Sequence, residues 1–359
     1  MYSFHHEVEV ALEASIAETS TGGSSSVLLL ETALSDLCLA EFSVTMSSGT
    51  LALTNALTAV GARAGERVGV SAMGPVMTGQ AVVSAGAIPV FLDSRNGCSF
   101  GLDTEHTLRE ADDLGLKAVV MVPMWGYWDE DPRLLDELRS RRISIIVDAA
   151  QAPLLRTEPA LLESVDVVCL SLHGRKPFKA GEGGACLTNA WGTAERLVAL
   201  RNFGQAAVQK TGHACPDGPF GSVFGVNGKI NGLGAAWCLT QVRRADQIEA
   251  YLTALRTQLR QIMSSSGVEL VEVAEGADVC RHGGYGLAVR CPSEDEALRL
   301  TSHLERLGLE VDTRRYAYAP MQSFPVFAAH PASTPTAAES CARIVACRAE
   351  SLAHVAALN

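Results

Sequence analysis

The feature that most constrains the fold is a series of short, nearly all apolar segments that alternate with helical patterns. Four of them are Ala118–Val122, Ile143–Val147, Val165–Leu172 and Ala185–Thr188. Strands this apolar are buried on both faces, which happens when helices cover both sides of a parallel sheet. The sequence therefore predicts a layered α/β domain with a mostly parallel central sheet.

The chain has 359 residues, more than one hydrophobic core usually covers, and two domains are expected. We predict a large domain over residues 1–245, with a helical segment near its N-terminus at 27–40 that follows a loop at 20–26, and a smaller α+β domain over 246–359. One long helix is predicted over 231–263. The predicted elements of the smaller domain are a strand at Tyr285–Arg290, a helix that begins with the capping box Ser293 to Glu296, a strand at Glu310–Thr313 and a final helix over 336–357.

The net charge and the pattern of cysteines limit the kinds of binding partner and metal site that we expect. The net charge is −11, which argues against a nucleic acid or an anionic membrane as partner. The ten cysteines form no CxxC pair, so we expect small buried side chains in a reducing compartment and no metal site. The first ten residues do not resemble a signal peptide, and no apolar run reaches membrane-spanning length, so a soluble cytoplasmic protein is expected.

Polar residues follow several strands, at the edge where parallel α/β sheets bind ligands. A Ser-Ser-Gly-Thr turn, residues 47–50, leads into a helix whose free N–H groups suit a phosphate; the alternative is a plain helix cap. Asp148 directly follows another strand, where a buried carboxylate needs a partner such as a protonated pyridine nitrogen. A helix cap or a metal ligand is the alternative for Asp148.

A lysine follows the next strand, in the segment Ser-Leu-His-Gly-Arg-Lys that ends at Lys176. A lysine at a strand end can form an imine with an aldehyde, and burial or nearby cations such as Arg175 would lower its pKa. Lys179, three residues later, must be weighed against it, and an ordinary surface lysine is the alternative for both. The Gly-Glu-Gly-Gly turn at residues 181–184 specifies nothing by itself.

Taken in order, the Ser-Gly-Thr turn, Asp-x-Ala-Gln, Ser-x-x-x-x-Lys and Gly-Glu-Gly-Gly resemble the DegT-type sugar aminotransferases, from about Glu7 to about Leu352. These enzymes have the aspartate-aminotransferase-like fold type I and use pyridoxal 5′-phosphate (PLP), which becomes pyridoxamine 5′-phosphate (PMP) in the half-reaction. Many act in antibiotic and cell-surface pathways.

The resemblance assigns roles to individual positions. Lys176 is similar to the lysine that forms the Schiff base, and Asp148 to the partner of the pyridine nitrogen. Gln151 is expected near the ring hydroxyl, and His173 takes the aromatic or histidine position before the lysine. The residues that match the phosphate cup are Ser48, Gly49, Thr50 and Ser171.

Two later segments also resemble the family. Residues 226–231 match a segment whose asparagine reaches the phosphate of the neighbouring subunit's cofactor, which implies that Asn227 does so in a homodimer with shared active sites. A loop cap is the alternative for Asn227. Lys229 replaces the family's usual arginine, and Tyr318 begins a motif similar to the substrate-facing loop.

The sequence departs from the family at two places. The loop after the second strand, residues 72–77, has no aromatic residue to stack on the cofactor, which leaves Pro75 or its neighbours Met73 and Val76. The stretch Met-Trp-Gly-Tyr-Trp around Trp125 replaces a family segment, and its aromatic residues belong either to the core or to a substrate pocket. These changes put the usual keto-sugar substrate in doubt.

The resemblance implies a ping-pong transfer of an amino group from glutamate or glutamine to a ketone or aldehyde acceptor: a keto-sugar, a cyclitol or a related biosynthetic intermediate. No residue clearly marks the site of the donor's carboxylate, and Arg314 and Arg315 are the candidates. The rival functions are a PLP-dependent dehydratase, in which histidine usually replaces the lysine, and an idle or regulatory subunit. A dehydrogenase of the dinucleotide-binding type is disfavoured because no GxGxxG follows the first strand.

Overall fold

The computed structural model describes residues 9, 25–95, 99–155, 161–210, 212–221, 223–273 and 281–352. The helices are α1 Ser25–Cys38, α2 Gly49–Ala59, α3 Val76–Ser84, α4 Thr104–Leu114, α5 Pro132–Ser140, α6 Trp191–Arg201, α7 Gly232–Val242, α8 Ala245–Ser264, α9 Glu294–Arg306, α10 Asp312–Arg315 and α11 Pro335–Arg343. The strands are β1 Phe42–Met46, β2 Arg67–Ser71, β3 Ile88–Leu92, β4 Ala118–Met121, β5 Tyr127–Trp128, β6 Ser144–Asp148, β7 Val167–Ser171, β8 Gly184–Thr188, β9 Val208–Lys210, β10 His213–Cys215, β11 Val271–Glu272, β12 Arg281–His282, β13 Gly286–Arg290 and β14 Ile344–Arg348.

A seven-stranded sheet organises the first two thirds of the chain, in the order β1-β8-β7-β6-β4-β2-β3. The five strands from β7 to β3 are parallel neighbours, and β8 runs antiparallel to both β7 and β1. Nearly all residues of β4, β6, β7 and β8 are buried, because helices cover both faces of the sheet. The predicted mostly parallel α/β sheet is confirmed.

A second, smaller layer lies towards the C-terminus, where β11, β13 and β14 form an antiparallel sheet. Helix α8 joins the two layers: its residues Leu252 and Leu255 pack in the core of the large sheet, and Leu259 and Met263 pack in the core of the small one. The predicted domain division, 1–245 and 246–359, stays a prediction; it falls at the start of this helix.

Three predictions for the C-terminal third are wrong. The single helix over 231–263 is two helices, α7 and α8, which are separated at Arg243 and Arg244. The expected strand at Glu310–Thr313 contains the start of the short helix α10. The expected helix over 336–357 ends at Arg343 and is followed by β14, and its last residues lie outside the described ones. All five residues of β14 are buried, so they lack the alternation that marks a half-buried strand.

The predicted helix near the N-terminus is confirmed as α1, and the preceding loop at 20–26 lies mostly outside the described residues. Glu31 of α1 forms an ion pair with Arg201 of α6, and both side chains are 2% exposed. Arg201 also donates to the Thr45 carbonyl oxygen at 2.8 Å. The pair therefore fixes α1 and α6 against β1, next to the turn that begins α2. In the described part of the chain, no helix is both long and apolar enough to cross a membrane.

Candidate active site

A cavity of about 280 Å³ opens where β6 and β7 end, beside the first turn of α2. Its wall contains nine of the residues that the sequence singled out: Ser48, Gly49, Thr50, Pro75, Asp148, Gln151, Ser171, His173 and Lys176. They come from four separate segments, and the parallel strands bring them to one edge of the sheet.

One end of the cavity is the N-terminus of α2. Ser48 is the N-cap, and its Oγ accepts from the Leu51 N–H at 3.1 Å. The N–H groups of Gly49 and Thr50 have no intrahelical acceptor, because they belong to the first turn of the helix. Together with the Ser171 hydroxyl, they form a donor group suited to an anion.

Two glycines permit the close approach at this end. A Cβ on Gly49 would lie 2.9 Å from the Cβ of Ser171, and a Cβ on Gly184 would lie 2.5 Å from the carbonyl oxygen of Ser48. Because the second contact is with backbone, no side-chain movement could relieve it. The Gly-Glu-Gly-Gly turn thus has a structural task that its sequence alone did not reveal.

Asp148 lies at the end of β6 and is 3% exposed. Its Oδ2 accepts a hydrogen bond from Thr78 Oγ1 at 2.6 Å, and its Oδ1 accepts one from the Ala150 N–H at 3.2 Å. Burial raises the pKa of Asp148, while these two bonds and the nearby Lys176 act to lower it. Thr78 is 70 residues distant in the chain, on α3, and no motif in the sequence indicates this contact.

Lys176 follows β7, and its ammonium nitrogen lies 4.9 Å from the centre of the Tyr285 ring. Burial lowers the pKa of Lys176 to about 8; Asp148 and Asp312 raise it, and Arg348 and Arg175 lower it further. A substantial fraction of this amine is therefore neutral near physiological pH, as a nucleophile must be.

The competing lysine points elsewhere. Lys179 Nζ forms an ion pair with Glu350 at 2.9 Å, and its backbone N–H donates to Gln241 at 3.0 Å. Lys179 does not line the cavity. Between the two lysines that the sequence left open, the geometry favours Lys176.

Four of the predicted residues do not line the cavity: Trp125, Tyr318, Asn227 and Lys229. Trp125 is buried, and its backbone N–H donates to Gln151 Oε1 at 2.6 Å, so it holds a cavity residue in place. Tyr318 stacks edge-on against Trp125, and its hydroxyl donates to the Met73 carbonyl oxygen at 2.9 Å.

Asn227 and Lys229 lie on the segment that follows α6. Asn227 is exposed and bridges to Asn202, while Lys229 Nζ donates to Asn202 Oδ1 at 3.2 Å and lies 4.6 Å from the Phe203 ring centre. Within this one chain they are outside the cavity, and their predicted roles concern a second subunit. Those roles stay predictions.

Among the further residues that line the cavity, four have polar or aromatic side chains and were not singled out as site residues by the sequence: Arg175, Glu182, Tyr285 and Tyr316. Glu182 faces the His173 ring, with 3.6 Å between Oε1 and Nε2, on the open side of the cavity. The loop after β2 contributes only Pro75 to the wall before α3 adds Met77, so the aromatic rings here come from Tyr285 and Tyr316. Tyr285 lies outside the predicted site motifs, and Tyr316 lies two residues before the motif that begins at Tyr318.

In the described part of the chain, no group of three or more His, Cys, Asp or Glu side chains is placed to hold a metal ion. The cysteines in that part are unpaired by disulfides; Cys169 and Cys186, on adjacent strands, lie 4.0 Å apart as thiols.

Comparison with known proteins agrees with the chemistry that the residues of the cavity allow. A model of the DegT/DnrJ/EryC1/StrS aminotransferase family matches residues 5–355. The chain belongs to this family. It is a PLP-dependent aminotransferase of fold type I, in a family that acts on sugars and cyclitols.

Three relatives illustrate the range of this aminotransferase family. GDP-perosamine synthase of Escherichia coli O157:H7 is 24% identical over 291 residues, which cover 80% of this chain and 74% of that protein. L-glutamine:scyllo-inosose aminotransferase of Streptomyces griseus is 28% identical over 278 residues, 73% of this chain and 62% of that one. The structure of NtdA from Bacillus subtilis, solved with bound cofactor PMP, has a TM-score of 0.76 and 21% identity, and covers 98% of this chain and 82% of that one.

Proposed function

We propose that this aminotransferase moves an amino group from glutamate or glutamine to the carbonyl of a keto-sugar, a cyclitol or a related intermediate of secondary metabolism. The observation that supports it most is the meeting of Lys176 and Asp148 in one cavity that ends at the N-terminus of α2.

The residues present fit PLP. Its phosphate is an anion, and the cavity ends in the free N–H groups of Gly49 and Thr50, where glycine leaves room for close approach. Its pyridine nitrogen, when protonated, would satisfy the buried carboxylate of Asp148. When bound, PLP supplies an aldehyde for the amino group and a ring that accepts electrons.

Each side chain then has a defined task. Lys176 Nζ would hold the cofactor between turnovers and would carry the proton from the α-carbon of the donor to the cofactor carbon that receives the amino group. Thr78 and the Ala150 N–H orient the Asp148 carboxylate and act to lower the pKa that burial raises. Ser48, Thr50 and Ser171 anchor the phosphate, so that the reacting atoms stay aligned with Lys176.

The acceptor is assigned by class. The cavity wall includes His173, Glu182 and Gln151, side chains that donate and accept hydrogen bonds as a polyhydroxylated substrate requires. The names of the perosamine synthase and the scyllo-inosose aminotransferase point to the same class, and the second name points to glutamine as donor.

We also propose a homodimer in the cytoplasm. The segment next to Asn227 exposes large apolar side chains: Phe224 is fully exposed, Phe220 is 67% exposed, and Val226 and Phe203 are more than half exposed. A patch of this kind marks an interaction surface. A second copy that covers it would bring Asn227 and Lys229 towards the partner's phosphate, and Phe224→Asp should then shift the mass measured by light scattering from dimer to monomer.

The decisive experiment is the near-ultraviolet and visible spectrum of the PLP-loaded protein, before and after glutamate or glutamine is added. A yellow band that bleaches to the spectrum of PMP supports transamination and names the donor. A yellow band that neither amino acid changes would point to another donor or to the dehydratase alternative. A protein that never takes up PLP would favour the idle subunit.

A further inference from the structure

The donor's carboxylate needs a cation, and Arg175 is the arginine that lines the cavity among the residues that the structure describes. The candidates from the sequence lie elsewhere: Arg315 is not in the cavity wall, and Arg314 lines a separate surface depression beside Cys341. We infer that Arg175 binds the carboxylate of the amino-acid donor. This inference rests on the proposed transamination and adds to it the residue that recognises the donor.

Arg175 is held in position by contacts from the C-terminal third of the chain. Its Nη2 forms an ion pair with Glu310 Oε1, and the side chain stays 26% exposed. Its guanidinium carbon lies 5.9 Å from the centre of the Tyr316 ring, which also lines the cavity. Only this one nitrogen of the guanidinium is bonded among the described side chains, so the other N–H donors are available to a ligand.

The local charge balance favours an anion. Glu310 forms ion pairs with three arginines: Arg175, Arg315 with 2.7 Å between Nη1 and Oε2, and Arg348 with 3.3 Å between Nη2 and Oε1. The second carboxylate of the group is Asp312, whose Oδ1 lies 3.5 Å from Arg348 Nε. Three guanidinium groups against two carboxylates leave a net positive charge, and a bound carboxylate would balance it.

The adjacent positions of Arg175 and Lys176 in the chain also favour this role for Arg175. Arg175 immediately precedes Lys176, and both side chains line the same cavity, which the N-terminus of α2 closes at one end. A small amino acid whose carboxylate is held by Arg175 would therefore carry its amino group to the atoms near Lys176. The planar fork of a guanidinium matches a carboxylate with two parallel hydrogen bonds and fixes the donor's orientation.

Calorimetric titration of the PLP-loaded protein with glutarate, a dicarboxylate without an amino group, tests binding without turnover. Arg175→Gln should weaken glutarate binding about 10- to 100-fold, the effect of losing a hydrogen-bonded charge, and Arg175→Lys should recover part of it. The matched control is Arg315→Gln, which removes another partner of Glu310 that is outside the cavity and should change affinity less than about fivefold. The same order is expected for the half-saturating glutamate or glutamine concentration in the spectral assay.

Failure of the inference about Arg175 can be distinguished from failure of the proposed transamination. Equal glutarate affinity in the wild type and in Arg175→Gln, or no binding to the wild type, would overturn the inference even if the donor still bleaches the cofactor. An equal loss in Arg315→Gln would also overturn it, because the charge of the cluster and not direct contact would then be responsible. If glutarate binding depends on Arg175 but neither amino acid changes the spectrum, the carboxylate site stands and the proposed function fails.

Discussion

Replacing Thr78 with valine removes the hydroxyl that donates to Asp148 while keeping the shape of the side chain. Thr78 is 1% exposed and Asp148 is 3% exposed, so water cannot replace the lost bond. The bond is short, 2.6 Å between oxygens, and its acceptor is a carboxylate. Loss of a hydrogen bond to a charged group costs about 1.5–3 kcal/mol.

The cost depends on pH. Losing the bond raises the pKa of Asp148 further, because the hydroxyl stabilises the ionised carboxylate. Burial already raises this pKa in the folded protein. The ionised form is therefore the unfavourable one in the fold, so the destabilisation by valine should be largest above the folded pKa and should shrink as pH falls through it.

The assay is calorimetric melting of the cofactor-free protein at a series of pH values. A chain of 359 residues loses roughly 0.75 kcal/mol of stability per degree near its midpoint, from about 2.1 cal/mol/K per residue. The predicted cost then lowers Tm by about 2–4 °C at neutral pH and by less in acid.

Thr107→Val is the matched control. Thr107 is fully buried, and its hydroxyl has no hydrogen-bond partner among the described residues. Valine there should leave Tm unchanged or slightly higher at every pH. If Thr78→Val and Thr107→Val behave alike, or if the effect of Thr78→Val is the same at all pH values, the hydroxyl does not tune the carboxylate and the reasoning is refuted.

Three further predictions concern the cavity. Lys176→Ala should abolish turnover and the yellow band while the protein still binds PLP. Lys179→Ala should keep both the turnover and the yellow band. Turnover in the Lys176→Ala variant would exclude Lys176 as the Schiff-base lysine. Because the pKa of Lys176 is about 8, the rate at which the free protein captures PLP should rise as pH increases through that value, measured by stopped-flow absorbance, and a flat profile would contradict the assignment. Gly184→Ala should weaken PLP binding about tenfold or more, because the new Cβ would lie 2.5 Å from the Ser48 carbonyl oxygen and overpacking costs about 1–3 kcal/mol. Gly192→Ala is the control, because a Cβ there would have nothing within 4 Å. Equal PLP affinity in the two variants would show that the close approach at Gly184 does not matter for cofactor binding.

Much of the site could be predicted from the sequence because of one property of parallel sheets. Their carboxyl ends meet at one edge, so residues that follow successive strands are brought together without any knowledge of contacts. Asp148 is the last residue of β6, Lys176 follows β7, and the turn at Ser48 follows β1. These positions do meet at one cavity.

The C-terminal third was harder to predict. Hydrophobic periodicity separates a half-buried strand from an amphipathic helix, but a fully buried segment has no polar face to give a period. The sequence pattern therefore predicts that the preceding helix continues through Ile344–Arg348, although pairing with β13 makes this segment a strand. Tertiary contacts decided that element, and local pattern did not.

Sequence by itself determined the α/β class and the order of the chemical groups along the chain, because both depend on local pattern and on strand direction. Only the tertiary structure decided which side chains complete the cavity. Thr78 reaches Asp148 across 70 residues, and Glu310 reaches Arg175 across 135. No periodicity or spacing encodes such pairs; they arise when separately folded elements pack and bury polar groups that must find partners.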